Sequence, residues 1–407
     1  MSSSASTPQV LRRTNLKAVL DVMRNGGTCT GTDLIDRTGL TRATVIAVCD
    51  DLVRRGWVRE LVSERNGGVQ KGRPARRFEF NGEAGCVLGL DLGVATVTAQ
   101  VADLKGAVLG RAAQRIPGRA AEATSAARLA TITGTVDRVL QDAGLPTTAV
   151  LAVGVGVATV VDRHGNIAGG HHLSSMFDLG LQTEVWRDRA WPVLLENDAN
   201  LAALAERWRG IGQGTQDLAV MLAGERLGTG LIESGRLLHG SNGGAGDVGS
   251  LQLVEGVGSQ DGIARLARHW GTQALEEDRP TLIRELVGPG TTRVSARYVF
   301  EAAARQDAVA LEILDKIARR IARVIAVLGT FLDPELVVLA GAVADSAAAL
   351  LPTINRELPS LTERPPRVEV SRLGDGIVAT GALRLALDYV EENMPSLTPG
   401  GQPAAVG

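Results

Sequence analysis

Apolar residues at Leu16, Val19, Leu20 and Met23 recur with helical spacing and predict an amphipathic helix over 11–24, stopped at Gly26-Gly27. A short second helix over 32–38 turns Leu34 and Ile35 inward, and Gly39 makes the turn. Thr41 is placed to cap a third helix running to about 55, with Val45, Val48, Leu52 and Val53 on one face and Gly56 at its end. Two short strands, 57–61 and 76–80, flank a polar loop over 63–75. Three helices followed by a hairpin describe a winged helix-turn-helix.

Residues 81–85 read as a short linker, and the pattern then changes. Apolar stretches over 86–92, 94–104 and 107–116 read as three strands joined by tight turns. A helix over 121–143 and a wholly apolar strand over 150–157 follow. A further strand, 193–195, leads into a helix over 199–209. The motif then recurs, with strands at 218–223, 228–233 and 236–238. Helices occupy 259–330, the last running over 307–328. A buried strand over 336–340, a helix over 346–357 kinked at Pro352, a strand over 368–370 and a helix over 378–392 complete the pattern. Two copies of a strand meander followed by strand–helix units predict a duplicated α/β body with a cleft between its lobes. The expected organisation is a disordered tail over 1–10, a head over 11–80, a body over 86–395 and a second disordered tail over 396–407.

Composition narrows the classes. With 44% hydrophobic and 22% charged residues the chain is ordinary globular protein, which excludes a wholly disordered or fibrous one. The longest apolar-plus-glycine run, 149–158, is half of the roughly 20 residues a membrane helix needs. No secretory signal pattern opens the chain, and Cys29, Cys49 and Cys86 are too few for a disulfide framework, so a cytoplasmic protein without membrane partners is expected. Net charge is −2, but it is unevenly distributed. Residues 1–80 carry 14 Lys and Arg against 8 Asp and Glu, whereas the remainder carries 29 against 37. A basic head on an acidic body points the head at a polyanion.

In a winged helix the N-terminal residues of the third helix enter the major groove. Here they are Thr41, Arg42, Ala43 and Thr44. Arg42 can pair with guanine through two hydrogen bonds, and the threonines can reach phosphate or base edges, Thr41 serving also as the cap. In the wing, Gly72 lets the backbone approach DNA, Arg73 suits a narrow minor groove and Pro74 stiffens the loop.

The stretch 34–60 together with Gly72-Arg73-Pro74 resembles the head of the ROK family regulators, and the order of segments matches over roughly 11–395. That resemblance implies an actin/hexokinase-like, ribonuclease H-like two-lobed body of the sugar-kinase type. It also implies a set of site residues. In the first phosphate loop Asp91 and Gly93 remain, but Val94 and Ala95 stand where the family kinases have glycine and threonine. The Glu-Asn-Asp-Ala-Asn motif is intact at 196–200, giving Asn197 a sugar-binding role and Asp198 that of a vestigial base. Capping of the following helix by Asp198 and Asn200 is the simpler alternative. Gly228, Thr229 and Gly230 belong to the second glycine loop, where Glu225 sets a negative charge beside any phosphate, and Gly341 marks the adenosine side. The family sugar motif is kept over 240–250, with Asp247 in place of glutamate and Ser250 in place of the zinc-binding histidine. The zinc cysteines are missing from 254–262 as well, so neither the family metal nor any other cofactor is expected.

These features predict a repressor of carbohydrate uptake or metabolism genes. It binds double-stranded, palindromic operator DNA as a homodimer or homotetramer and is released by a sugar-like effector held near Asn197, Asp198, Asp247 and Ser250, with kinase activity lost. Two alternatives stand beside it: a ligand-independent regulator whose body is a dimerisation scaffold, and an active sugar kinase.

Overall fold

The computed structural model describes residues 8–61, 75–118, 122–168, 174–288 and 293–400. In the head, α1 (Pro8–Gly26) buries the predicted stripe, Leu16, Val19, Leu20 and Met23. A two-residue strand, β1 (Cys29–Thr30), leads into α2 (Gly31–Thr38). A reciprocal cap starts α2: Thr30 accepts from the Asp33 amide, and the Asp33 carboxylate accepts from the Thr30 amide at 2.8 Å. After the turn at Gly39, α3 (Arg42–Arg54) follows, and then β2 (Val58–Leu61) and β3 (Arg77–Phe80). β3 pairs antiparallel with β2 on one side and with β1 on the other. Two residues are too few to carry a periodic signal, so β1 is not among the predicted strands.

The body is built twice on one plan. Its first sheet holds β4 (Cys86–Leu92), β5 (Thr96–Asp103), β6 (Val108–Arg115), β7 (Val150–Val157) and β8 (Val193–Asn197), in the order β6-β5-β4-β7-β8. The second holds β9 (Leu218–Leu222), β10 (Gly228–Glu233), β11 (Arg236–Leu237), β12 (Leu336–Ala340) and β13 (Arg367–Val370), in the order β11-β10-β9-β12-β13. In each, an antiparallel three-stranded meander is extended by two parallel strands. The duplication expected from the repeated pattern is therefore present strand for strand.

Helices cover the sheets. α4 (Ser125–Asp142) and the short α5 (Ser174–Phe177) belong to the first lobe, and α6 (Asp198–Arg209) crosses to the second. The second lobe adds α7 (Ile263–Glu276), α8 (Leu282–Val287), α9 (Ala296–Ala304), α10 (Ala308–Leu332), α11 (Ala344–Ala347) and α12 (Leu351–Leu361). Pro352 lies in the first turn of α12, where its missing N–H costs nothing, so it starts this helix instead of kinking a longer one. The last helix, α13 (Ile377–Asn393), lies against α6, β4 and β7. Contact with α6 is so close that a Cβ on Gly381 would overlap the Leu201 carbonyl.

The boundary between head and body is tighter than a linker. Residues 82–84 form a 3-10 turn with Gly82 and Ala84 buried, and the Leu104 amide donates to Gly82 O at 2.9 Å. One apolar cluster joins Trp57, Phe78 and Phe80 of the head to Val87, Leu104, Leu387 and Met394 of the body. Nor are residues 396–400 a loose tail. Arg55, beside the end of α3, donates through Nη2 to the main-chain oxygens of Met394 (3.0 Å), Pro395 (2.8 Å) and Leu397 (2.9 Å). The Gly400 amide donates to Ala84 O at 3.1 Å. Apolar and carbonyl contacts across more than 300 residues hold this stretch, and no local pattern announces them.

Candidate functional site

The head presents one end of α3 to solvent. Thr41 has extended backbone (φ −67°, ψ 153°), and its hydroxyl accepts from the Thr44 amide at 3.3 Å, the geometry of an N-cap. The two hydroxyls also meet at 2.9 Å. Thr41, Arg42 and Ala43 are exposed and Thr44 half-buried, while Val45, Val48, Cys49 and Leu52 on the opposite face are buried. Arg42 makes no hydrogen bond or ion pair with any described residue, so its guanidinium is available to a ligand. By contrast, Arg76, where the hairpin resumes, is held by Glu60 (2.7 Å) and Asp50 (2.8 Å). Lys71, Gly72, Arg73 and Pro74 lie outside the described residues.

In the body a cleft opens between the lobes where β8 passes into α6. Asn197 is the cap of α6: its Oδ1 accepts from the amides of Ala199 (3.0 Å) and Asn200 (3.2 Å). Its Nδ2 donates to Thr159 O at 3.0 Å. The cap is thus one residue earlier than the alternative reading of this motif placed it. Asp198 is the first helical residue, and Asn200 is buried with its Nδ2 on Glu196 Oε1 at 2.9 Å. Glu196 is spanned from its other oxygen by His239 Nε2 at 2.7 Å, and this hydrogen bond raises the histidine's pKa.

Asn197, Asp198 and Asp247 all line the cleft, together with Thr159, Arg226 and Gln260, which sequence reading did not single out. Ser250 is exposed in the 3-10 turn 249–253 and is not among the cleft's described lining residues. Asp247 turns one oxygen to the Gly249 amide at 2.9 Å. The wall bearing Asp247 is tied to the second glycine loop by Thr229, whose hydroxyl donates to Gly246 O at 2.6 Å. Gly230 lets β10 approach α6, since a Cβ there would overlap the Ala199 carbonyl. Thr229 and Gly230 thus do packing work in this chain.

Asp91, in β4 of the first lobe, is not among the cleft's described lining residues but lies near enough to Asp198 to feel its charge. Burial pushes its pKa up to about 7, and the neighbouring charges of Asp198 and Asp375 add to the rise. Burial likewise pushes Asp198 up to about 6, against the opposing hydrogen bonds it accepts at the start of α6. Gly93 makes the turn into β5, where a Cβ would sit 2.8 Å from Thr96 O. Gly341 ends β12 with φ +97°. Glu225 is clamped by both guanidinium nitrogens of Arg268, which hold its carboxylate below the ordinary range.

The stretch 254–262, where the resemblance puts zinc ligands, carries two carboxylates and main-chain oxygens but no thiolate or imidazole. Asp261, one of the two, is paired with Arg265 at 2.9 Å. This donor set does not fit a structural zinc site.

A winged-helix head packed against a duplicated, sugar-kinase-like body defines a class of two-domain protein. Residues 87–389 match the ROK family and residues 17–67 the MarR family, and the chain belongs to the ROK family. It is 24% identical over 401 residues to a putative xylose repressor of Caldicellulosiruptor sp., covering 95% of this chain and 98% of that one. It is 33% identical over 194 residues to a glucokinase of Halalkalibacterium halodurans, spanning 44% of this chain and 57% of that protein. Its fold superposes with a TM-score of 0.74, at 20% identity, on a ROK family transcriptional regulator described as a homologue of the Escherichia coli MLC protein, covering 94% of this chain and 98% of that one. The Halalkalibacterium halodurans glucokinase is matched over 44% of this chain, whereas the Caldicellulosiruptor repressor is matched from head to body.

Proposed function

We propose that the protein is a transcriptional repressor of carbohydrate uptake or metabolism genes, in which the head over 11–80 grips operator DNA and the body over 86–395 senses a sugar or sugar derivative. The observation that carries this reading is the unpaired Arg42 on the exposed start of α3, on a head whose apolar core runs on into a kinase-like body. Full-length likeness to a xylose repressor supports it. Two heads on a dimer or tetramer of this chain read a palindromic operator. The sugar hydroxyls meet Asn197, Asp198 and Asp247 in the cleft, and closure of the lobes on it alters the spacing of the heads. Among the described residues no helix is long and apolar enough to cross a membrane, in keeping with work in the cytoplasm beside DNA.

Phosphoryl transfer is lost in this reading. Val94 and Ala95 stand in the first phosphate loop where the family kinases carry glycine and threonine, and in the second the Glu225 carboxylate, already engaged by Arg268, takes a place beside the glycines. The test pairs two assays on the full-length protein: sequence-selective binding to its own promoter DNA at moderate salt, and ADP release with ATP and a panel of hexoses, pentoses and amino sugars. Selective binding without ADP release is expected. Sugar-dependent ADP release that disappears in Asp198→Asn overturns the loss of catalysis, and equal affinity for promoter and random DNA overturns the repressor reading.

A further inference from the structure

Arg320 projects from α10 into the interior, where its residue is 4% exposed. A buried guanidinium is costly to desolvate unless its donors are satisfied, and here the acceptors come from one short segment. Nε donates to Val257 O at 2.5 Å, Nη1 to Asp261 O at 2.8 Å and Nη2 to Ser259 O. Alternate carbonyls of residues 257–261 therefore converge on a single planar cation. Asp261 contributes its main-chain oxygen, while its carboxylate goes to Arg265.

The segment so gathered forms part of the cleft. Gln260 lines it, and Gln260 O accepts from the Leu227 amide at 2.8 Å. The Gly262 amide donates to Glu225 O at 2.9 Å, and the Ala264 amide to Gly224 O at 3.0 Å. Through these bonds the 257–262 segment supports the 224–228 loop, whose Arg226, Leu227 and Gly228 also face the cleft. The stretch that offers no thiolate or imidazole is thus organised by a cation reaching in from the neighbouring helix.

We propose that Arg320 is a positioning residue for the cleft, holding the 254–262 wall in a metal-independent way and through it the 224–228 loop. The reach to three carbonyls depends on the rigid, planar fork of arginine, which the ammonium of lysine does not reproduce. The role given to the cleft rests on the repressor reading; the role given to Arg320 within the fold does not.

The test uses full-length protein and the variants Arg320→Lys and Arg320→Met. Hydrogen exchange is followed by peptide, with and without EDTA, alongside operator release by D-xylose and D-glucose. The expected result is exchange at least 10-fold faster in 255–262 and 224–228 of the variants, with α1–α3 and β4–β7 unchanged and EDTA without effect on the wild type. In Arg320→Lys, operator affinity without sugar stays at the wild-type level while more sugar is needed for release. Unchanged exchange in Arg320→Lys, an equal rise along the whole chain, or opening of 255–262 by EDTA in the wild type overturns the proposal. If Arg320→Met does not fold, Arg320→Lys alone decides. If neither sugar releases wild-type protein, the repressor reading loses support and the exchange pattern still decides the role of Arg320.

Discussion

The guanidinium of Arg55 and the main-chain oxygen of Pro395 lie 2.8 Å apart, joining the end of α3 to the segment that leaves the last helix of the body. Met394 O and Leu397 O share the same nitrogen, Arg13 donates to Glu392 O at 3.1 Å, and Arg24 pairs with Glu391. α13 in turn packs on α6, whose first residue, Asp198, lines the cleft. α13 and the segment that leaves it therefore touch both α6 and, through side-chain and main-chain hydrogen bonds, α1 and the end of α3.

Arg55→Ala removes a charged donor from three half-buried acceptors. Hydrogen bonds to charged groups contribute about 1.5–3 kcal/mol, so thermal unfolding is expected several degrees lower. The head should melt before the body. A single transition at the wild-type temperature would deny the clamp a structural role.

Arg42→Ala should cost roughly 1–3 kcal/mol of operator affinity and relax specificity at one base position. Competition titrations with operator variants read this directly. Equal losses on operator and random DNA would mean that Arg42 meets only phosphate. Arg73→Ala, in the wing, should weaken binding chiefly where A·T-rich sequence flanks the site.

Much of this architecture is legible in the sequence because helices and strands announce themselves by period. The stripe Leu16, Val19, Leu20 and Met23 and the apolar run of β7 are buried as their spacing predicts. The Glu-Asn-Asp-Ala-Asn motif comes to the cleft with Asn197 and Asp198 side by side. What escapes is long-range. Trp57 packs in one cluster with Leu387, and Arg55 binds carbonyls whose side chains carry no signal. Ser250 sits outside the cleft lining because the 3-10 turn that starts at Gly249 presents it to solvent. Arg320 is invisible for a related reason. An arginine within an apolar helix face looks like an interruption until the loop that supplies its acceptors is in place.

Asn197→Ala should lose a helix cap, costing about 1 kcal/mol, and leave Thr159 O without its donor. Thermal unfolding checks the first effect. Sugar-dependent release should be lost along with the cap, which a release titration reads at a temperature where the variant is folded.

Asp91 gives a pH signature. Its folded pKa of about 7 lies above the ordinary 3.8, so the native state holds a proton that the unfolded chain releases. Stability from this group is intact below about pH 4 and is lost as pH rises toward 7. Asp91→Asn removes that loss, so the variant should gain stability over the wild type between pH 4 and 8, most at pH 8. Parallel unfolding curves at all pH values would show that Asp91 titrates normally.

The most direct test is the affinity of the full-length protein for its own promoter, measured with and without D-xylose, D-glucose and a wider panel of mono- and disaccharides. Tight, sequence-selective binding released by one sugar, with release abolished in Asp198→Asn, is the predicted result. Selective binding that no sugar disturbs would contradict the account and leave the body a scaffold for the heads.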